Sequence, residues 1–120
     1  WGDLDGLRLC LLTPDMQNRR IVNRCFAEAG VTPQAMVEAN STMVLAAHVE
    51  MGGWATVLPS DTAAFLTAGK PMQAIPIAGG PQDHAVGLVA PFRDPHTPVL
   101  DALLSETRRL ASTIGNTEQR

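Results

Sequence analysis

The chain has no tyrosine, two tryptophans and three phenylalanines. That scarcity argues against an aromatic-rich binding platform. A core filled by Ala, Val, Leu, Ile and Met fits an α/β sheet with close helix–strand packing. Positive charge is also thin: the longest basic runs are Arg19-Arg20 and Arg108-Arg109, and the net charge is -3. These 120 residues are therefore poorly suited to grip nucleic acid themselves. No apolar run approaches the roughly 20 residues that span a bilayer, and no secretory signal is visible. The two cysteines, Cys10 and Cys25, sit inside apolar patterns without the cationic or glycine-rich setting that activates a thiol. They read as buried, reduced thiols of a cytosolic protein. The first residue is Trp rather than Met, which reads as a fragment or a processed product. What is present is enough for one compact domain, or for one lobe plus part of another. With 45% hydrophobic and 18% charged residues, the chain is not disordered by composition.

Catalytic constellations are missing as well. There is no glycine-rich phosphate loop, nucleophile elbow, His-Glu-x-x-His or Cys-x-x-Cys. His48, His84 and His96 have no second ligand at helical or hairpin spacing, so no metal site is expected. Glu38, Glu50, Asp83 and Asp94 lack an apolar cage that would tune them as acid and base, so surface or cap roles are their default. No cofactor and no enzymatic activity are expected.

The informative stretch runs from Met36 to Ser60. It reads as a short strand (Met36 to Ala39), a helix (Ser41 to Met51), a glycine turn at Gly52-Gly53 and a second strand (Trp54 to Leu58). Strand, helix and strand in this span make a βαβ unit with parallel strands. The apolar positions Val44, Leu45, Ala47, Val49 and Met51 cover more than one stripe, which predicts a helix sandwiched on both sides. Upstream, Leu7 to Leu12 reads as a strand covered on both faces. Thr13-Pro14-Asp15 reads as the start of a helix, with Thr as cap and Pro at the first helical position. Ile21, Val22, Cys25, Phe26 and Ala29 of that helix are expected on the sheet, with Arg19, Arg20, Asn23, Arg24 and Glu28 outward.

Downstream, Ser60 is expected to cap a helix over Asp61 to Ala68, with Ala64, Phe65 and Ala68 inward. Met72 to Ile77 is predicted as an edge strand because it contains a proline. His84 to Ala90 reads as a buried strand. Thr97-Pro98 opens a long amphipathic helix carrying Leu100, Leu103, Leu104, Leu110 and Ile114, with Arg108 and Arg109 in its last turns. Gly115 to Arg120 is expected to be a polar tail.

Two polar clusters each follow a strand and each start a helix: Thr13-Pro14-Asp15 and Asn40-Ser41-Thr42. If the strands are neighbours, both clusters open on one edge of the sheet. Hydroxyls, an amide and free backbone N–H groups would then face a shared groove suited to a small anion. The bland alternative is simple helix capping.

Taken in order, several segments resemble one family. They are Leu9-Cys10-Leu11-Leu12-Thr13, Arg20-Ile21-Val22, Glu38-Ala39-Asn40-Ser41, Val49 to Pro59, Met72 to Ile77, Gly87-Leu88-Val89 and the closing Thr97-Pro98…Leu104…Leu110 helix. Together they resemble the effector-binding domain of LysR-type transcriptional regulators. The match extends over nearly the whole chain. It departs at Trp54, where the family usually has a second glycine, and this places an indole near the surface.

The resemblance implies a two-lobed, periplasmic-binding-protein-like (type 2) α/β fold, a mostly parallel sheet flanked by helices, with the effector between the lobes. Residues 1–83 would be the second lobe, 84–114 the strand and helix returning into the first lobe, and 115–120 a flexible tail. It implies that Thr13, Pro14, Asp15, Ala39, Asn40, Ser41 and Thr42 line the effector cleft. It also implies a small-molecule effector, a cytoplasmic homodimer or tetramer, no membrane contact, and DNA binding only through an N-terminal winged helix absent from these residues. A periplasmic-type solute-binding domain, or a lobe of an α/β enzyme, is the alternative. Separation from a companion lobe would leave the strand at Val86 to Ala90 with an open edge, which favours dimerisation.

Overall fold

The computed structural model of the chain describes residues 1–80, 88–92 and 94–117, with side chains as far as residue 112. Packing divides it into two units, Trp1–Pro81 and Gln82–Arg120. After a single 3-10 turn at Gly2–Leu4, the first unit contains β1 (Leu9–Leu12), α1 (Gln17–Glu28), β2 (Ala35–Ala39), α2 (Thr42–Glu50) and α3 (Ser60–Thr67). The second contains α4 (Pro98–Thr117).

All four residues of β1 are buried, because the strand has a neighbour on each edge and a helix on each face. On one edge β2 runs parallel, with Leu12 opposite Ala39. On the other edge the chain leaving α2 makes a parallel bridge. There Ala55 donates to the carbonyl of Arg8, and Cys10 donates to the carbonyl of Ala55, both at 3.0 Å. The first strand in sequence is thus the central one. The segment Trp54 to Leu58 takes its expected place beside it, but pairs only at Ala55 rather than as a full strand. It is hemmed in by the Gly52-Gly53 turn and by Pro59, which has no N–H to extend a ladder.

Alternation along β1 sorts the core into two clusters. Leu9 and Leu11 pack with Val22, Phe26 and Val57 on the α1 face, where Trp1 and Ile77 close the edge. Trp1 stands edge-on to Phe26, ring centroids 5.3 Å apart. Cys10 and Leu12 pack with Leu45 on the α2 face. Each such leucine, fully buried, contributes about 1.5–3 kcal/mol.

Several expectations are corrected here. The helix α2 is not sandwiched: Leu45 and Ala46 are buried, while Met43, Val44 and Met51 are exposed. Its composition is apolar all round, so composition could not reveal that the sheet covers one face only. In α3 the buried residue is Leu66, and Phe65 is 80% exposed. The run Ala63-Ala64-Phe65-Leu66 offers two possible inward faces, and the one through Leu66 is the face that is buried. Ser60 is the first residue of this helix rather than its cap, which is Pro59.

Met72 to Ile77 forms no strand. Pro71 and Pro76 remove two ladder donors, and only Ile77 of this segment reaches the core. The expected strand His84 to Ala90 lies largely outside the described residues, and Leu88 to Ala90 have no strand pairing. In α4, Thr97 accepts the Leu100 N–H on its Oγ1 at 3.4 Å, the cap-plus-proline start read from the sequence. The helix runs on through Gly115 to Thr117, since one helical glycine costs only about 1 kcal/mol. Arg108 and Arg109 therefore lie before its last turns, where Arg109 pairs with Glu106 and holds that carboxyl below its usual range. No described helix is long and apolar enough to cross a membrane.

Candidate functional site

The parallel register that sets Leu12 beside Ala39 makes β1 and β2 end on the same side of the sheet. Thr13 extends the pairing by one rung, its N–H donating to the carbonyl of Ala39 at 3.1 Å. Pro14 and Asp15 then turn the chain, with Met16 N–H donating to the Thr13 carbonyl at 3.0 Å. The helix α1 starts only at Gln17, capped by the Met16 backbone without any side-chain hydrogen bond. The expectation that Thr13-Pro14-Asp15 opens this helix is corrected: Thr13 is committed to the ladder and so stays extended. Asp15 lies in a turn ahead of the helix.

At the end of β2, Asn40 is exposed and Ser41 half-buried. Ser41 is extended, and its carbonyl accepts the Leu45 N–H at 3.3 Å. No side chain caps the N-terminus of α2. The capping role expected of Asn40 or Ser41 is thus not taken up, and the first-turn N–H groups keep their positive partial charge for an incoming acceptor. Nearby, the Thr13 Oγ1 is buried without a hydrogen-bond partner. The seven predicted residues therefore form two adjacent turns on one rim, joined by the Thr13–Ala39 hydrogen bond.

One residue that sequence reasoning placed outward belongs to this corner. Arg19, in the first turn of α1, is only 9% exposed. Its Nη1 donates to the Leu12 carbonyl and to Glu38 Oε1, each at 2.7 Å. Its Nε donates to Asn23 Oδ1 at 2.9 Å. Helical periodicity cannot see acceptors on other elements. A signal was nonetheless present: a cation in the first turn opposes the helix dipole and needs anionic company. An open groove of about 340 Å³ lined by Arg19, Asn23, Phe26, Val31 and Pro33 contains none of the seven rim residues.

At the opposite end of β1, Trp54 is half-buried. The Arg8 guanidinium lies 4.2 Å from its ring centroid, and His48 stands edge-on at 5.8 Å. His48 Nδ1 is 2.8 Å from the Val44 carbonyl, which ties the ring to its own helix. Gly52 and Gly53 both have positive φ, 89° and 75°, which completes the turn without a glycine at position 54. Cys10 and Cys25 are free and buried, and burial pushes both thiols up. Among the described residues no three His, Cys, Asp or Glu side chains gather as a metal would require.

Residues 1–112 match the family model described as the LysR substrate binding domain. No curated protein and no solved structure matches the chain. The family match implies a periplasmic-binding-protein type-2 fold, of which the small parallel sheet with its flanking helices is the part seen here. Matched over most of its length, the chain belongs to the LysR substrate-binding domain family, whose members are the non-enzymatic, effector-sensing parts of transcriptional regulators.

Proposed function

We propose that this domain senses a small anionic metabolite at the rim formed by Thr13, Pro14 and Asp15 with Ala39, Asn40, Ser41 and Thr42. Residues 1–83 act as the second lobe of the sensor, and residues 84–114 return to the first. The effector lies between the lobes and acts by its differential affinity for two arrangements of lobes or subunits. The regulator works as a cytoplasmic homo-oligomer that touches DNA through a winged helix outside these residues.

The observation that carries this reading is the Thr13–Ala39 hydrogen bond at 3.1 Å. It sets a turn with a buried, unpartnered hydroxyl beside a helix start that no side chain caps. An anion at such a helix end gains about 0.3–1 kcal/mol from the dipole, and up to about 2 where partly buried. Hydrogen bonds from Ser41 and the first-turn amides add to this.

Calorimetric titration of the complete regulator with its inducer tests the reading. Ser41→Ala should weaken binding about tenfold, the loss of one charge-assisted hydrogen bond. The melting temperature should hold, because the hydroxyl caps nothing. Unchanged affinity in that variant would remove Ser41 from the site and leave the rim without its main side-chain donor.

A further inference from the structure

We propose that Arg19 is the positioning residue of the rim. It sets the spacing between the turn after β1 and the turn after β2, and through that spacing the affinity for an anion. The inference rests on the rim reading above, and its two halves can fail separately.

The geometry is specific. One nitrogen, Nη1, donates its two N–H groups to acceptors on two different strands, the Leu12 carbonyl and Glu38 Oε1, each at 2.7 Å. Leu12 is the residue before Thr13, and Glu38 is the residue before Ala39. The clasp therefore grips both strands one residue short of where the rim begins. The guanidinium is planar and cannot rotate one N–H without moving the other, so the two acceptors are held at a fixed separation. Nε is anchored in turn to Asn23 Oδ1 at 2.9 Å, which ties the clasp to the body of α1.

Arg19 does not act as the anion's counter-charge, because Glu38 already neutralises it. Nor is net stability a sufficient reason for its placement: Arg19 gives up most of its hydration while the Glu38 side chain stays 40% exposed, and the desolvation of a buried charge offsets much of what its pairing gains. What it supplies is geometry at the one place where the two strand ends must stay in register for both turns to reach one ligand.

The test uses the full chain with inorganic sulfate as the anion, followed through the amide resonances of Thr13, Ser41 and Thr42. Arg19→Met removes the clasp. Arg19→Lys, the milder variant, keeps the charge but loses the rigid planar fork and the Nε donor to Asn23. Both should speed hydrogen exchange of the Thr13 amide about tenfold relative to that of Leu11. Both should also weaken sulfate binding about fivefold, a cost of about 1 kcal/mol. Glu38→Gln keeps an oxygen acceptor in place and should leave the exchange ratio near that of the parent. General destabilisation would speed Thr13 and Leu11 together and leave their ratio alone.

An unchanged ratio in both Arg19 variants overturns the positioning role. A changed ratio with unchanged sulfate affinity overturns the link from spacing to binding. If the parent chain shows no sulfate response at Thr13 or Ser41, the rim reading falls together with the affinity half of this inference. The exchange ratio then decides the positioning half alone.

Discussion

Thr13 gives its backbone N–H to the Ala39 carbonyl at 3.1 Å while its own Oγ1, buried, meets no acceptor or donor. An unsatisfied buried hydroxyl carries a desolvation penalty that an isosteric methyl does not. Thr13→Val, which keeps the β-branched shape and the rung, should raise unfolding free energy by about 1 kcal/mol. Urea denaturation measures this. A fall in midpoint would mean that the hydroxyl is engaged in the free protein and is not waiting for a ligand.

The two buried thiols predict an alkaline loss of stability. Burial raises the pKa of Cys10 and Cys25 in the folded chain, so the folded state holds these protons longer than the unfolded one. Their contribution is whole below the ordinary thiol value of about 8.5. It is lost as pH rises from there toward the folded pKa values. The chain has no tyrosine to add its own titration in that range. Urea midpoints measured between pH 7 and 10 should fall, and the Cys10→Ala/Cys25→Ala double variant should show a shallower fall. An identical slope in that variant would reassign the effect to other groups.

Neighbouring positions in α3 should respond in opposite ways. Leu66→Ala empties a site that is 8% exposed and should cost about 2–4 kcal/mol. Phe65→Ser changes a side chain that is 80% exposed and should stay within about 0.5 kcal/mol. Denaturant unfolding of the two variants side by side checks the orientation of the helix. A reversed order would mean that Phe65 is the inward residue.

Arg8 over Trp54 should be visible optically. In a Trp1→Phe background Trp54 is the sole indole, and Arg8→Ala removes the cation 4.2 Å from its ring. The expected cost is about 0.5–1 kcal/mol, with a change in emission intensity or maximum. Emission and stability both unaltered would show that the stack is not populated in solution.

The parts of this fold that could be read from the sequence are those fixed by local chemistry. The nearly unbroken apolar run before Thr13 gave away a strand covered on both faces. Asn40-Ser41 marked the start of α2, and Thr97-Pro98 that of α4. The parallel order of β1 and β2 followed from the helix between them. Two of the misreadings share one cause: a contact far away in sequence chose among options that were locally equal. Thr13-Pro14-Asp15 has the composition of a helix start, yet the Ala39 carbonyl holds Thr13 extended and delays α1 to Gln17. Arg19 looks like a solvent-facing residue by helical spacing, but Leu12 and Glu38 draw it in. Phe65 outranks Leu66 in size, but a short helix has little periodicity to set its phase. The rim could be read as two polar turns; their adjacency required the strand register.

Because the central strand comes first in the sequence, its two edges are filled at different times. Thr13 meets its partner after one helix, whereas Cys10 must wait for Ala55, 45 residues ahead. Closing the longer loop is entropically dearer, if only modestly, and until α2 has been built one flank of β1 stays open to strangers. Pulse labelling during refolding should therefore find the Thr13 amide shielded before that of Cys10. Crowded refolding should be most hazardous in the interval between the two.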